Sequence, residues 1–196
     1  MIFILSFSDY QMSLMSISYF LIPYSIYNLD ENIRKISLRN QNEFSNKTFN
    51  FLNEFGAGEY HISTFFILYL TSKALNNEKL EEFSKNAIKS FLISGATVLF
   101  LKTFFGRARP YMEKGPTSFE MFSINNNYNS LPSGHTIVAF TTASYISNYF
   151  KNRAISFLAY SVASGVGLAR IYKDQHWFSD VLAGAVLGII IGGNVK

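Results

Sequence analysis

Cysteine is absent from this chain of 196 residues, so disulfides and thiolate metal sites are excluded and the redox compartment stays unread. A basic run is missing too. The net charge of +4 is small, which lends nucleic-acid binding little support, although a basic surface near anionic lipid headgroups looks similar. The N-terminus has neither the basic region nor the small-residue cleavage site of a secretory signal. The most telling absence is local: charged side chains all but vanish from five stretches and gather between them. That 48% of the residues are hydrophobic does not by itself make a membrane protein; the distribution carries the argument. The length fits one domain.

The five stretches are residues 60–75, 87–105, 136–150, 154–171 and 177–195. An apolar N-terminal run, residues 12–27 with those before it, reads as a retained first membrane helix. Several segments are shorter than the ~20 residues that a ~30 Å hydrocarbon core demands. Each can gain a turn through residues such as Lys89, whose stem can reach the interface. They are apolar around most of their circumference, unlike the single stripe of a soluble bundle. Gly184, Gly188 and Gly192 recur every four residues, as do Ser161, Gly165 and Ala169, a spacing that lets helices approach closely in lipid. Residues 28–59 are polar, with Phe44, Thr48, Phe51, Leu52 and Phe55 at helical spacing. They read as an amphipathic interfacial helix ending near Gly56 and Gly58, or equally as a structured soluble loop. The expected fold is therefore all-α: a polytopic membrane helix bundle of about six transmembrane helices. Residues 1–59 form its N-terminal unit and residues 60–196 its core.

Six spans put both termini on one side and the 102–135 and 170–180 connections together on the other. The 73–89 loop with its four lysines, and Lys151 and Arg153, suit a cytoplasmic face. Counting all basic residues gives 7 inside, including Lys196, and 10 outside, which reverses the rule. Four of the outer ones, Lys102, Arg107, Arg109 and Arg170, belong to or beside a candidate site, so an extracytoplasmic site in a bacterial inner membrane is the expectation.

Three polar clusters lie on that shared face: Lys102 to Arg109-Pro110, Pro132-Ser133-Gly134-His135, and Arg170 to His176 and Asp180. His176 and Asp180 are four apart and share a helical face. The carboxylate there can accept the imidazole Nδ1–H and leave Nε2 as a nucleophile. Taken alone, such a pair is more often an ordinary packing contact. Ser133 can cap the next helix and Gly134 leaves its N–H open, which makes an anion site of a helix N-terminus. A plain cap followed by an indifferent His135 is at least as common. Lys102, Arg109 and Arg170, each ordinarily a snorkelling residue or interfacial anchor, can instead bind phosphate oxygens. The combination decides. Phosphoryl transfer needs equatorial charge stabilisation, an in-line nucleophile and an acid for the leaving group, and each has a residue. A divalent metal would meet three fixed positive charges and one nearby carboxylate, so none is expected.

The ordered clusters resemble the signature of the type 2 phosphatidic acid phosphatase (PAP2) superfamily: Lys-x6-Arg-Pro, then Pro-Ser-Gly-His, then Ser-Arg-x5-His-x3-Asp. The match runs through Lys102, Arg109, Pro110, Pro132, Ser133, Gly134, His135, Arg170, His176 and Asp180, and covers about residues 60–193. One departure is Ala169, where the pattern has Ser. The resemblance implies a membrane lipid phosphate phosphatase without cofactor, acting on undecaprenyl pyrophosphate, phosphatidate, phosphatidylglycerophosphate or lipid A. It implies His176 as nucleophile, Asp180 orienting it, and His135 as acid and then base. Lys102, Arg109, Arg170 and the Ser133–Gly134 turn would bind the phosphate. Partners are the lipid phosphate and the bilayer, with no nucleic acid. The loop 111–131 would cover the site and shape headgroup choice. A non-catalytic lipid-binding relative would be expected to lose His176, His135 or an arginine, and all are present. A vanadate haloperoxidase would be larger and soluble.

Overall fold

A computed structural model describes residues 8–195. The first seven residues of the apolar N-terminal run lie outside them, as does Lys196, counted above with the cytoplasmic face. Eight helices follow in order: α1 (Asp9–Asn28), α2 (Asp30–Arg39), α3 (Glu43–Glu54), α4 (Gly58–Ala74), α5 (Glu78–Phe105), α6 (Gly134–Phe150), α7 (Arg153–Tyr172) and α8 (Phe178–Asn194). Among the described residues there is no strand, only an isolated antiparallel bridge between Arg107 and Phe119.

Local chemistry sets these boundaries. Ser8 and Gln11 form a capping box that starts α1, and Asn152 caps α7 by accepting from the amides of Ala154 and Ile155, donors a helix start otherwise leaves unpaired. Helix α5 begins nine residues before the expected apolar segment, at Glu78. The anticipated 73–89 loop shrinks to residues 75–77. Asn77 accepts from the Leu80 amide at 3.1 Å, Glu78 and Glu81 fill the first turn, and Phe83 and Ala87 pack on Tyr145. Those contacts give a charged sequence a reason to stay helical.

Residues 28–59 are helical but form two helices. The break at residues 40–42 arises where Asn42 turns its side chain to cap α3, accepting from Ser45 N at 2.9 Å. Helix α3 has two unlike faces, as expected of an amphipathic helix. Phe44, Phe51 and Phe55 point outward, whereas Asn46, Phe49, Asn50 and Asn53 turn toward α7: Phe49 stacks on Tyr172 and Asn46 accepts from its hydroxyl. An apolar outward face and a polar inward one suit a helix flanked by lipid on one side and a polar site on the other.

Helix α6 is the central post, with α8, α7 and α5 around it; α4 lies on α5, α1 on α8 and α3 on α7. The glycine row of α8 makes its parallel contact with α6 possible. A Cβ on Gly188 would stand 2.7 Å from the Ile137 carbonyl oxygen, and one on Gly192 would run into that of Thr141. The second small-residue row behaves differently. Ser161 is exposed and Gly165 receives Leu52 of α3, so that row seats the amphipathic helix rather than a second span.

Helices α5 and α7 are long and apolar enough to cross a membrane; α8 is apolar but only 17 residues long. The hydropathic window of α5 is only 11% buried, with Leu92, Leu99 and Phe100 facing outward. Gln11 of α1 meets Gly193 of α8, so both described ends share one face. The C-terminal ends of α5 and α7 and the N-terminal ends of α6 and α8 share the other.

Because the α6–α8 contact is backbone against backbone, Gly192→Val should sharply lower the melting temperature in detergent. Gly95→Ala, where a Cβ meets open space, should leave it unchanged or raise stability by up to about 1 kcal/mol. Equal melting of the two variants would contradict this packing.

Candidate active site

The site begins where α5 ends. Gly106 stops the helix in the left-handed region, φ +56°, and donates its N–H to Lys102 O at 2.9 Å. A Cβ there would strike the Glu120 carbonyl, so the turn needs glycine. The turn sends Arg107 inward, where it is fully buried. Its Nη1 donates to Ser179 Oγ at 2.7 Å and Asp180 Oδ1 at 2.6 Å, and its Nη2 to Asp30 Oδ2 at 2.7 Å. Nη2 and Nε share the Pro116 carbonyl.

On the far side of that guanidinium, α8 starts with Trp177 as N-cap. The Trp177 N–H donates to Asp180 Oδ2 at 2.8 Å and its indole N–H to Ala108 O at 2.9 Å. His176 sits just outside the helix, buried, with Nδ1 2.7 Å from the Ser130 carbonyl. A carbonyl only accepts, so the proton is on Nδ1 and the lone pair on Nε2. The expected partner of Nδ1 was Asp180, and here the structure corrects the expectation. The nearest carboxylate oxygen is 3.6 Å away, because both Asp180 oxygens are engaged: Oδ1 by Arg107, Oδ2 by the Trp177 amide and the Ser130 hydroxyl at 2.5 Å. Asp180 thus acts on the ring by charge and through Ser130, whose carbonyl accepts the Nδ1–H while its hydroxyl donates to the carboxylate. Burial pushes the His176 imidazole well below the ordinary histidine value; Asp180 opposes this, and Lys102 and Arg170 add to it.

Helix α6 supplies the second histidine. His135 lies in its first turn, backed by Gly56, where a Cβ would come within 2.8 Å of the His135 Cβ. Ser133 is the N-cap residue, but its hydroxyl does not cap: it accepts from Thr136 Oγ1 at 2.8 Å, while its N–H donates to the Asp180 carbonyl at 3.1 Å. Gly134 faces α5, and a Cβ there would lie 3.3 Å from Val98 and 3.8 Å from Lys102 Cε.

Three cations complete the arrangement. Lys102 Nζ donates to Asn129 O at 2.7 Å. Arg109 reaches Asn126 O at 3.0 Å and the Gln175 side chain at 2.8 Å. Arg170 donates from Nη1 to Asn53 Oδ1 at 2.6 Å, while its Nε is buried without a partner, as is Asn129 Oδ1. Each cation is held by neutral oxygens. Their charges act on one another and on His135. The unmatched Arg170 Nε–H, a buried donor among repelling cations, suits an anion.

The structure therefore brings Lys102, Arg109, His135, Arg170, His176 and Asp180 to one end of the bundle, with Ser133 and Gly134 at the first turn of α6. Sequence reasoning missed Asp30, Asn53, Ser130 and Ser179, and counted Arg107 only as a neighbour. Arg107 sat in plain view within the first cluster. Asp30 had no sequence signal, standing 149 positions from its partner Ser179.

The model of the PAP2 superfamily matches residues 85–195, more than half of the chain. A lipid A 1-phosphatase of Porphyromonas gingivalis is 46% identical over 66 residues, 33% of this chain and 15% of that protein. The chain spans at most 56% of the length of the curated relatives it matches. Among solved structures, Aquifex aeolicus LpxE is 26% identical, with a TM-score of 0.66 over 84% of this chain and 92% of that one. A transmembrane PAP2-type phosphatidylglycerolphosphate phosphatase of Bacillus subtilis shares the fold at 21% identity, with a TM-score of 0.69 over 92% and 91%.

Asn53 holds the Arg170 guanidinium from α3. Asn53→Ala should weaken binding of inorganic phosphate by about tenfold, equivalent to ~1.4 kcal/mol. Calorimetric titration checks this, and unchanged affinity would show that Arg170 is positioned without Asn53.

Proposed function

The chain belongs to the PAP2 superfamily, and from that premise we propose that it is an integral-membrane lipid phosphatase. It hydrolyses a phosphomonoester or pyrophosphate of a lipid through a phosphohistidine on His176. The observation that carries this reading is a nucleophilic Nε2, fixed by the Nδ1–Ser130 bond, beside three cations of which Arg170 keeps a buried donor unmatched.

The lone pair of His176 Nε2 attacks phosphorus in line with the departing oxygen, and the phosphorus–oxygen bond to the lipid breaks. His135 gives its proton to that oxygen. Lys102, Arg109 and Arg170, with the first-turn amides of α6 that follow Ser133, hold the equatorial oxygens as charge builds on them. The imidazolium formed on His176 keeps its Nδ1–H on the Ser130 carbonyl and has the Asp180 carboxylate 3.6 Å away to balance its charge. Water, losing a proton to His135, then attacks the phosphohistidine and releases phosphate. No step needs a metal.

Of the four lipid classes open from sequence, the phosphatases named among the relatives favour lipid A. We place the bundle in a bacterial inner membrane as six crossings, formed by α1 and α4–α8, with residues 1–59 and 60–196 as its two sequence units. The site then faces the extracytoplasmic side, and α2 and α3 lie along the interface. The outward apolar faces of α5 and α3 support that placement.

Phosphate release from a panel of lipid phosphates and pyrophosphates, with EDTA present, tests the reading. Activity should persist in EDTA and fall by roughly 10³-fold or more in His176→Ala. Inhibition by EDTA, or a well-folded His176→Ala that keeps substantial activity, would overturn it. The same assay gives the pH response. Attack needs neutral Nε2, and the His176 imidazole titrates below its ordinary 6.5. The acid limb of kcat/KM should therefore lie below pH 6.5, with activity lost only as pH falls further.

A further inference from the structure

The His176 loop is short, and its neighbours on both sides are gripped by one helix that lies outside the family match. Asp30 and Arg34 stand one turn apart on the same face of α2. On the C-terminal side of His176, Asp30 Oδ1 accepts the Ser179 N–H at 2.8 Å and Oδ2 accepts the Ser179 hydroxyl at 2.6 Å. It thereby caps α8 from another element while pairing with Arg107. On the N-terminal side, Arg34 forms a two-pronged pair with Asp174, Nε to Oδ1 at 2.7 Å and Nη2 to Oδ2 at 2.8 Å. Both of those side chains are largely buried, 13% and 16% exposed. Arg34 also lies over the Trp177 ring at 5.9 Å.

The gripped segment needs holding. Asp174 adopts φ +54°, a conformation that L residues populate reluctantly. The loop hangs from the last turn of α7 through amides of Gln175 and His176 that both reach the Arg170 carbonyl, at 3.1 and 3.3 Å. The single bond that fixes the His176 ring, Nδ1 to Ser130 O, depends on where that loop stands. A displacement of an ångström at the nucleophile is costly in rate because attack must stay in line.

We propose that α2 is a clamp for the nucleophile, with Asp30 and Arg34 as positioning residues that fix His176 from either side without touching substrate. The inference rests on His176 being the nucleophile, as proposed above. It makes the N-terminal segment part of the working site rather than an accessory to it.

The test uses the full chain in detergent or vesicles, with the best lipid phosphate from the panel as substrate. Arg34→Gln and Asp30→Asn should each lower kcat at least tenfold with KM within about twofold, since the phosphate-binding cations are untouched. The charge-reversed pair Arg34→Asp with Asp174→Arg should recover most of the loss seen in either reversal alone. Hydrogen exchange supplies a readout independent of turnover: amides of residues 174–179 should exchange at least tenfold faster in Arg34→Gln, with those of α6 unchanged. Unchanged kcat, or exchange that rises equally through α6, would overturn the clamp. If Asp30→Asn fails to fold, Arg34→Gln and the reversed pair decide alone. A parent chain inactive on every substrate would defeat the phosphatase reading instead, while the exchange measurement would still judge the clamp.

Discussion

At the centre of this molecule a guanidinium has been taken wholly out of water and set between two carboxylates from opposite ends of the chain. Arg107 makes five hydrogen bonds, to Asp30, Ser179, Asp180 and twice to Pro116 O. Five is also the number of N–H donors a guanidinium has. Burying three charges costs several kcal/mol each, and Coulombic attraction offsets that only when geometry and hydrogen bonding are complete. Here they are complete. Losing one partner would strand an unpaired buried charge at a cost of about 3–5 kcal/mol, so α2, α5 and α8 are locked to one another by this group.

The surrounding helices make that lock useful. Helices α6 and α8 run parallel, their backbones brought together by the glycine row, and both present their N-termini at the same end. Both carboxylates meet the first turn of α8, Asp180 from within it and Asp30 from α2 through Ser179, where the helix dipole favours negative charge. The first turn of α6 keeps its own amides for an incoming anion. The register is fixed at the top by the Ser133 amide, which donates to the Asp180 carbonyl. A shift along that contact would move His135 relative to His176, so the packing of two apolar helices and the spacing of the two histidines are one constraint.

Much of this was legible in the sequence. Apolar runs without charge announced the helices, the four-residue glycine spacing announced close helix packing without naming its partner, and three ordered polar clusters announced residues that the fold gathers at one end. What escaped has physical causes. Helix α5 was read too short because its first turns are charged, and their helicity comes from the Asn77 cap and the Tyr145 contact rather than from apolar content. The apolar spacing of α3 marked an amphipathic helix but not the use of its polar side, where Asn53, Asn46 and Asn50 serve Arg170, Tyr172 and Lys173. The partner of His176 Nδ1 was misassigned because a helical i, i+4 argument assumes both residues are helical. His176 lies outside α8, and Asp180 turns back to its own helix start. Asp30 could not be found at all, since a single acidic residue in a polar stretch carries no mark of a partner 149 positions away.

The arrangement also sorts charge. Two carboxylates near a phosphate site would ordinarily neutralise its cations and weaken the hold on an anion. Arg107 consumes them: Asp30 and Asp180 are paired to it, and among the described residues no carboxylate forms an ion pair with Lys102, Arg109 or Arg170. Those three are steadied instead by neutral oxygens of Asn129, Asn126, Gln175 and Asn53, which fix position without cancelling charge. Arg107 thus takes up the charge of Asp30 and Asp180, and Lys102, Arg109 and Arg170 keep theirs unpaired, which suits the anion that the proposed reaction brings. A fully buried arginine can do this because its fork of five donors binds both carboxylates at once and leaves the three cations to neutral oxygens.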